Sequence, residues 1–596
     1  LPDLEKSFIR STCINGAEQG DLMKLLSYVI LSALLLSLGA PLVGAQEAAE
    51  AWGDPVAEGI EYREYQLPDP VNVFVTRMDR SNLQVTLESS IGQGRLSGGG
   101  ETVSSMAQRY DGALNYWDQT WGNTNQVAVA INGFYFGPPF EPAGVPWSGQ
   151  VHSGWFSKRF TELQSGSGFA WNLDRSAFIG ECVEQPDNKQ QVTLYRNDSD
   201  IGSLGFDDIN VSRKSNEFIL YTPQYSVDTG TTGSSDSIEV LVQLKRPSLI
   251  IPYGDMAAAE KGEIVKILNN KGSTAIPFDH VVLSLHGSKK DDFLSMGIQA
   301  GELGDKVGIS QKVKDCLAFP QNNWDYTYAS IGGAFYFLKG GVVQDFSSDP
   351  QANVRDPRTA IVFNDDYIYF IVVDGRDELN SIGMTIPQLA NFAKDELGAT
   401  YGIAQDGGGS STMVVNGEVK NNTYCNIVIC KNRYFLPFVT KSGSSLQSGQ
   451  FGPQEGSLQF APASTPDPVE RLSGDGLPLT EEYYTYNQDA TGAILQRLVA
   501  NGMMMVVVEP KDLSPIFTEN ETIKTLTQVD VRLGPGTNYG LIETVDAGTT
   551  GIIYGKDNGL NGVWAKGYYW WHVLLEIDGR DVIGWVIEPA LTKVLQ

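Results

Sequence analysis

The sequence is short of histidine, cysteine and basic side chains, and each shortage removes a class of function. Only four histidines occur, at scattered positions, and no CxxC pair is present, so the ligand spacing of a zinc site is missing. No cofactor is expected, although the abundance of carboxylates leaves a structural calcium open. Lys and Arg number 43 against 71 Asp and Glu, a formal net charge of −28. Nucleic-acid affinity comes largely from Lys and Arg neutralising phosphates, so no nucleic-acid partner is expected. The same deficit argues against adhesion to an anionic membrane surface. One or two arginines could still hold a small anion locally. Long apolar runs are also scarce, and the single example lies near the N-terminus.

That run, "LLSYVILSALLLSLGAPLVGAQ", follows Met23-Lys24 and ends in Val43-Gly44-Ala45. A short basic start, an apolar middle and a small-residue cleavage site describe a secretory signal peptide. An uncleaved anchor is the alternative, and Pro41 with the small residues before Gln46 favours cleavage. Residues 1–45 are therefore set apart from fold reasoning. The mature protein is expected outside the cytoplasm: extracellular, periplasmic or at the cell surface, with no membrane span after cleavage. Of the five cysteines, Cys182, Cys316, Cys425 and Cys430 follow the signal, an even number suited to disulfides. Cys425 and Cys430 are close enough to close a small loop, but four cysteines allow three pairings.

With 596 residues, 64 Gly, 25 Tyr and 25 Phe, the chain predicts two or three domains tilted toward strands and turns. A lead-in covers 46–69. From 70 to 440, β-branched and aromatic runs such as "VNVFVTRM", "QVAVAINGFYF" and "HVVLSLHG" alternate with Gly, Pro and Asn. "TVSSMAQRY" and "TIPQLANFAKDEL" read as helices, the second with Thr385 as N-cap and Pro387 in its first turn. The expected class is α+β: a β-rich mixed-sheet catalytic domain with a few packed helices, then a small all-β barrel. Residues 441–519 hold a Gly/Ser/Pro/Gln-rich linker and a less legible segment containing "ILQRLVANGMMMVVVEP". Residues 520–596 are strand-rich again.

The run "AQDGGGSSTMVVNGEV" places Asp406 before Gly407, Gly408 and Gly409, followed by Ser410 and Ser411. It lacks the lysine of a P-loop, the spacing of GxGxxG, the alternating ligands of an EF-hand and the GxSxG of a serine-hydrolase elbow. What remains is an acid at a strand end beside backbone that three missing side chains leave accessible. Bare N–H groups can donate to a sugar hydroxyl or a phosphate oxygen. Read alone, the run serves equally well as a tight structural turn. Asp374 ends another strand, and one helix lies between the two, an arrangement that gathers ligands if the strands are neighbours. Arg358 opens the strand "RTAIVF" and on its own reads as a surface salt bridge. Asn132-Gly133 reads as an ordinary bulge or turn.

Taken in order, "INGFYF", "VVLSLHG", "SIGGAFYFLKGG", "PRTAIVF", "VVDGRDELNSIGMT", "AQDGGGSSTMVVNGEV" and "NRYFLPFVT" resemble the phosphodiester glycosidase family over residues 70–440. The resemblance implies hydrolysis of the bond between sugar C1 and a phosphate that continues to another group, so the implied partner is a carbohydrate or sugar phosphate. It implies catalytic roles for Asp406, Asp374 and Arg358, with Arg358 forking onto phosphate oxygens. It also implies substrate contacts from Asn132, Gly133, Thr359, Gly375, Gly407, Gly408, Gly409, Ser410, Ser411 and Arg433. Phe134 and Val362 stand where the family pattern has glycine, and Gln405 stands where it has an apolar residue. Residues 525–593, with "VRLGPGTNY" and "GWV", resemble a bacterial SH3-like domain, whose relatives bind cell-wall peptides or glycans. Tyr568, Tyr569, Trp570 and Trp571 could stack on such a ligand, although strand alternation sends about half of such a run into a core.

Overall fold

Strand-forming segments separated by turns dominate the chain, and they assemble into four sheets. The structure, a computed structural model, describes residues 52–594 apart from 118–119, 139–140, 162–166, 188–189, 245–261, 300–303, 317–321, 425–493 and 556–559. Strands make up 48% and helices 10% of the described residues, with three α-helices among them, so the fold is mostly all-β and not α+β. The two helices expected from sequence do form. Ile386–Asp395 carries a capping box between Thr385 and Gln388, which satisfies two of the first-turn donors. Such caps produce short helices here, and the sheets supply the layers.

The main core is a sandwich. One layer is the centre of a twelve-stranded sheet that includes, side by side, Val71–Asp79, Tyr367–Val373, Arg358–Phe363, Tyr401–Ala404 and Thr327–Lys339. The other is a six-stranded sheet in which Asn501–Pro510 lies between Val85–Ile91 and Thr120–Asn132. Ile361, Phe370 and Ile403 from the first layer meet Val129, Ile131 and Met413 from the second. Met503, Met504 and Met505 are all fully buried, although alternate residues of a strand point to opposite faces. The helix Val103–Tyr110 covers the second face with Val103, Met106 and Ala107, so "NGMMMVVVEP" reads as a continuous apolar run. A strand from the segment that was least legible in sequence is therefore central to the main sandwich.

A second core gathers around an eight-stranded sheet of residues 190–311. Cys182 and Cys316 form a disulfide nearby, with Cα atoms 5.4 Å apart. Cys425 and Cys430 lie outside the described residues. The last sheet, residues 522–593, has its own core of Ile523, Val531, Trp571, Val573 and Val586. It is seated on the body through Phe278, whose ring lies 5.5 Å from both Tyr539 and Trp585. Trp570 fills that seam and Trp571 fills the sheet's own core, so neither is available to stack on a ligand. Tyr568 is the exposed member of the run, and His572 is buried against Trp585. Among the described residues, no helix is long and apolar enough to cross a membrane.

Candidate active site

The strand order corrects one sequence expectation. Tyr367–Val373 and Tyr401–Ala404 are not neighbours, because Arg358–Phe363 runs antiparallel between them. Their carboxyl ends still share one sheet edge, about 10 Å apart at the usual strand spacing. The start of the Arg358 strand falls between them at that same edge. Asp374, Arg358 and Asp406 are thus collected by topology, and their partners then differ.

Asp406 is the residue that leads into the glycine floor. Its backbone is fixed from both sides: its N–H donates to the Gly133 carbonyl at 3.0 Å, and its own carbonyl accepts from Asn132 Nδ2 at 2.7 Å. Asn132 is in turn held by Thr359 Oγ1, which donates to Asn132 Oδ1 at 2.8 Å, and by Thr412 N–H at 3.1 Å. Asn132 and Thr359 therefore position the acid instead of facing solvent, and Gly133 supplies a carbonyl. Ser410 Oγ donates to Asp406 Oδ2 at 2.5 Å. Burial pushes the Asp406 carboxyl up to about 6, while Ser410, Arg497, the Gly407 N–H and Arg376 pull the other way.

The glycines are needed for two distinct reasons. Gly408 has a φ of +60°, a conformation that L side chains rarely adopt. A Cβ at Gly407 would stand 2.7 Å from the Pro357 carbonyl oxygen. Gly408 N–H donates to that same carbonyl at 2.9 Å, closing the floor against the Arg358 strand. Gly409 packs below Arg497 Cδ, and Gly375 lies against Pro357. The Ser411 carbonyl accepts from Asn421 Nδ2 at 3.0 Å.

Two arginines stand over this floor. Arg376 lies beside Gly408, pairs with Asp356 at 2.7 Å and stacks on Tyr424 at 4.9 Å. Arg497 donates to Ser410 Oγ at 3.3 Å and stacks on Phe136 at 5.3 Å. An aromatic wall completes the site: Tyr135 lies 4.8 Å from Phe134 and 5.6 Å from Trp147. Burial and the nearby Asp406 push the Tyr135 hydroxyl up to about 12, so it stays a neutral donor.

Arg358 turns its donors toward backbone carbonyls. Its Nε donates to the Met384 carbonyl at 2.9 Å, and its Nη2 donates to Gln351 and Val354 carbonyls at 3.1 and 2.6 Å. Only 8% exposed, it fastens loop 351–357 and residue 384 beneath the floor, and burial lowers its basicity. Asp374 is similarly committed. Asn421 Nδ2 and Asn422 N–H donate to its two oxygens at 3.1 and 3.0 Å. Burial raises it to about 7 against those two hydrogen bonds, and the charged groups near it are Asp377 and Glu64, not the arginines. Arg433 lies outside the described residues.

Sequence reasoning missed Arg497 and Tyr135. Tyr135 sits inside the quoted "INGFYF" and carried no polar signature of its own. Arg497 has no motif, and the available signal was the apolar run "MMMVVV" that places its segment next to a core strand. Among the described residues no group of His, Cys, Asp and Glu side chains has the arrangement of a metal site.

No curated protein matches the chain. A solved structure of a hypothetical protein from Synechocystis is 14% identical with a TM-score of 0.38, covering 62% of this chain. The present chain spans 60% of that protein's length. A Burkholderia pseudomallei protein described as exported is 16% identical, with a TM-score of 0.40 and coverage of 73% of this chain and 74% of its own. The zebrafish N-acetylglucosamine-1-phosphodiester α-N-acetylglucosaminidase catalytic domain, auto-inhibited by its pro-peptide, is 14% identical with a TM-score of 0.29, covering 63% of this chain and 78% of its own. Asn132, Tyr135 and Arg497 come from outside the matched family segment. Asp406, its glycine floor, Arg358, Asp374 and Arg376 all fall within residues 257–433, the stretch that matches the family model for phosphodiester glycosidase.

Proposed function

We propose that this protein is a hydrolase that cleaves the sugar C1–O bond of sugar-1-phosphodiesters or related envelope glycans. The observation that carries the reading is the combination of one buried acid, Asp406, with a glycine floor free of side chains and two arginines, Arg376 and Arg497. A phosphate leaving group needs cationic donors more than a strong general acid, and the two arginines over the floor supply them. The Tyr135–Trp147 wall offers an aromatic face to the sugar ring. Asp406 moves the proton. As the C1–O bond breaks, its electron pair goes to the phosphate oxygen, which takes the Asp406 proton. Water then bonds to C1 and returns a proton to Asp406.

The C-terminal sheet, read as an SH3-like module, holds the enzyme near cell-wall peptides or glycans, with exposed Tyr568 as the aromatic contact. The N-terminal signal sends the chain out of the cytoplasm.

The test is hydrolysis of a panel of sugar-1-phosphodiesters in oxygen-18 water by the full chain. Label on the sugar C1 hydroxyl supports this reading, whereas label on phosphate means P–O cleavage by a phosphodiesterase. Binding of the diester with no turnover would make the protein a glycan-binding protein of the envelope.

A further inference from the structure

Arg497 reaches the site from a part of the chain that no motif marks, and it is firmly held there. Its neighbour Gln496 is tied to the first turn of the Val103–Tyr110 helix: Ser104 N–H donates to Gln496 Oε1 at 3.0 Å, and Gln496 Nε2 donates to Ser104 Oγ at 2.6 Å. Val499 pairs with Glu101 through two backbone hydrogen bonds of 2.9 Å. The guanidinium rests on Phe136 above Gly409. Among the described residues one hydrogen bond of this guanidinium is found, the 3.3 Å contact from Nη1 to Ser410 Oγ. Arginine has five N–H donors, so most of its fork is available to an anion over the floor.

The single contact matters because Ser410 passes it on. The Ser410 hydroxyl accepts from Arg497 and donates to Asp406 at 2.5 Å, so cation, hydroxyl and carboxylate form one chain. We propose that Arg497, through Ser410, couples the charge of the bound substrate to the protonation of Asp406, so that an anionic ligand brings its own acid catalyst into the protonated form. An anion on Arg497 cancels the field that favours the carboxylate and adds a negative charge beside it. Both effects favour the proton on Asp406. A neutral glycoside does neither, so Arg497 makes the site selective for a charged leaving group by chemistry as well as by binding.

The other groups facing Asp406 do not substitute for this coupling. Arg376 also favours its carboxylate form, but Asp356 already pairs with that arginine. Arg358 reaches Gly407 only with its aliphatic Cδ, at 3.9 Å from a Cβ built there, and its donors face carbonyls. Tyr135 stays neutral across the working range.

The inference rests on the proposed use of Asp406 as proton carrier, but its test needs no turnover. Sulfate is the probe, because it stays dianionic between pH 5 and 8. Calorimetric titration of the full chain in two buffers of different ionisation heat reads the protons taken up per sulfate. Wild type should bind sulfate more tightly as pH falls from about 7.5 to 5.5 and should take up a fraction of a proton, because proton and anion affinities are reciprocally linked. Asp406→Asn should bind sulfate with no pH dependence and no proton uptake. Arg497→Gln should weaken binding about tenfold or more, and Arg497→Lys, which keeps the charge, should retain part of the uptake. No sulfate binding by wild type, binding without uptake, or uptake that persists in Asp406→Asn each overturns the proposal. Failure of every diester in the turnover panel, with sulfate linkage intact, would instead remove the proposed function and leave this coupling standing.

Discussion

Asp406 and Asp374 end two strands at one edge of the same sheet, and both are buried and pushed toward the neutral acid. Their partners separate them. Asp374 gives its two oxygens to Asn421 Nδ2 and Asn422 N–H, both of which are fixed donors. Asn421 also accepts from Met413 N–H at 2.8 Å and donates to the Ser411 carbonyl, so Asp374 braces the far end of the DGGGSST segment. Asp406 meets a hydroxyl that can rotate, a cation with spare donors and a floor without side chains. Burial alone therefore does not mark a catalytic acid; what the carboxylate is bound to decides whether its proton can move. Position along a motif placed the two residues on equal terms, and the hydrogen bonds do not.

The largest effect should come from Asp406. Asp406→Asn keeps the shape and removes the proton carrier, so kcat/KM on a responsive sugar-1-phosphodiester should fall about 10³-fold or more, roughly 4 kcal/mol. Its melting temperature should hardly change, since Asn can still accept from Ser410. Equal turnover by the variant would move the chemistry away from this residue, and the comparison would lose its functional half.

Arg358 lies between the two acids and tests whether the motif or the structure describes it better. Arg358→Met leaves the Met384, Gln351 and Val354 carbonyls without their donors, which should cost about 2–4 kcal/mol of stability by denaturant titration. Lysine should not restore it, because one ammonium cannot reproduce the guanidinium geometry. The folded fraction should keep its KM. A raised KM at unchanged stability would show Arg358 forking onto phosphate, as the family resemblance implies.

These contrasts also show what was legible in the sequence. "DGGGSST" identified the floor because only glycine tolerates the φ of Gly408 and the approach of Gly407 to Pro357. "TIPQLANFAKDEL" identified its helix because capping is local. The α+β expectation failed because the few packed helices are short and local, whereas the layers are sheets built by strand pairings such as Met504 with Ala130 and Glu88. The carbonyl acceptors of Arg358 were hidden, because a sequence does not display where carbonyls point. Arg497 was legible only through the apolar run beside it, since its position depends on Gln496 reaching a helix almost four hundred residues earlier.

Asp374 should show a smaller and pH-dependent effect. Asp374→Asn replaces one acceptor oxygen with an amide facing the donors of Asn421 and Asn422, a loss of about 1–3 kcal/mol. Burial raises the folded-state acid to about 7 from its ordinary value of 3.8. The native state therefore holds the proton longer than the unfolded chain, and this group's contribution is full below its unfolded pKa and declines as pH rises toward about 7. The stability gap between wild type and Asp374→Asn should accordingly narrow between pH 4 and pH 7. A gap that widens with pH would mean the carboxylate is stabilised as an ion, and the two acids would then differ in charge as well as in partners.

Ser410→Ala is the finest probe, because it removes the mobile partner that distinguishes Asp406 while leaving acid, floor and arginines in place. The hydroxyl favours the carboxylate form, so its loss should raise the acidity limb of the Asp406 pH–rate profile by less than about one unit. Activity at low pH should fall only a few-fold, since the protonated acid no longer needs that donor. Arg497 loses its contact to the carboxylate at the same time, so the salt dependence of the limb should weaken. A limb that moves down instead would mean that Ser410 accepts from the neutral carboxyl rather than donating to the carboxylate, and Asp406 would then be a carboxyl held in its neutral state by that neighbour.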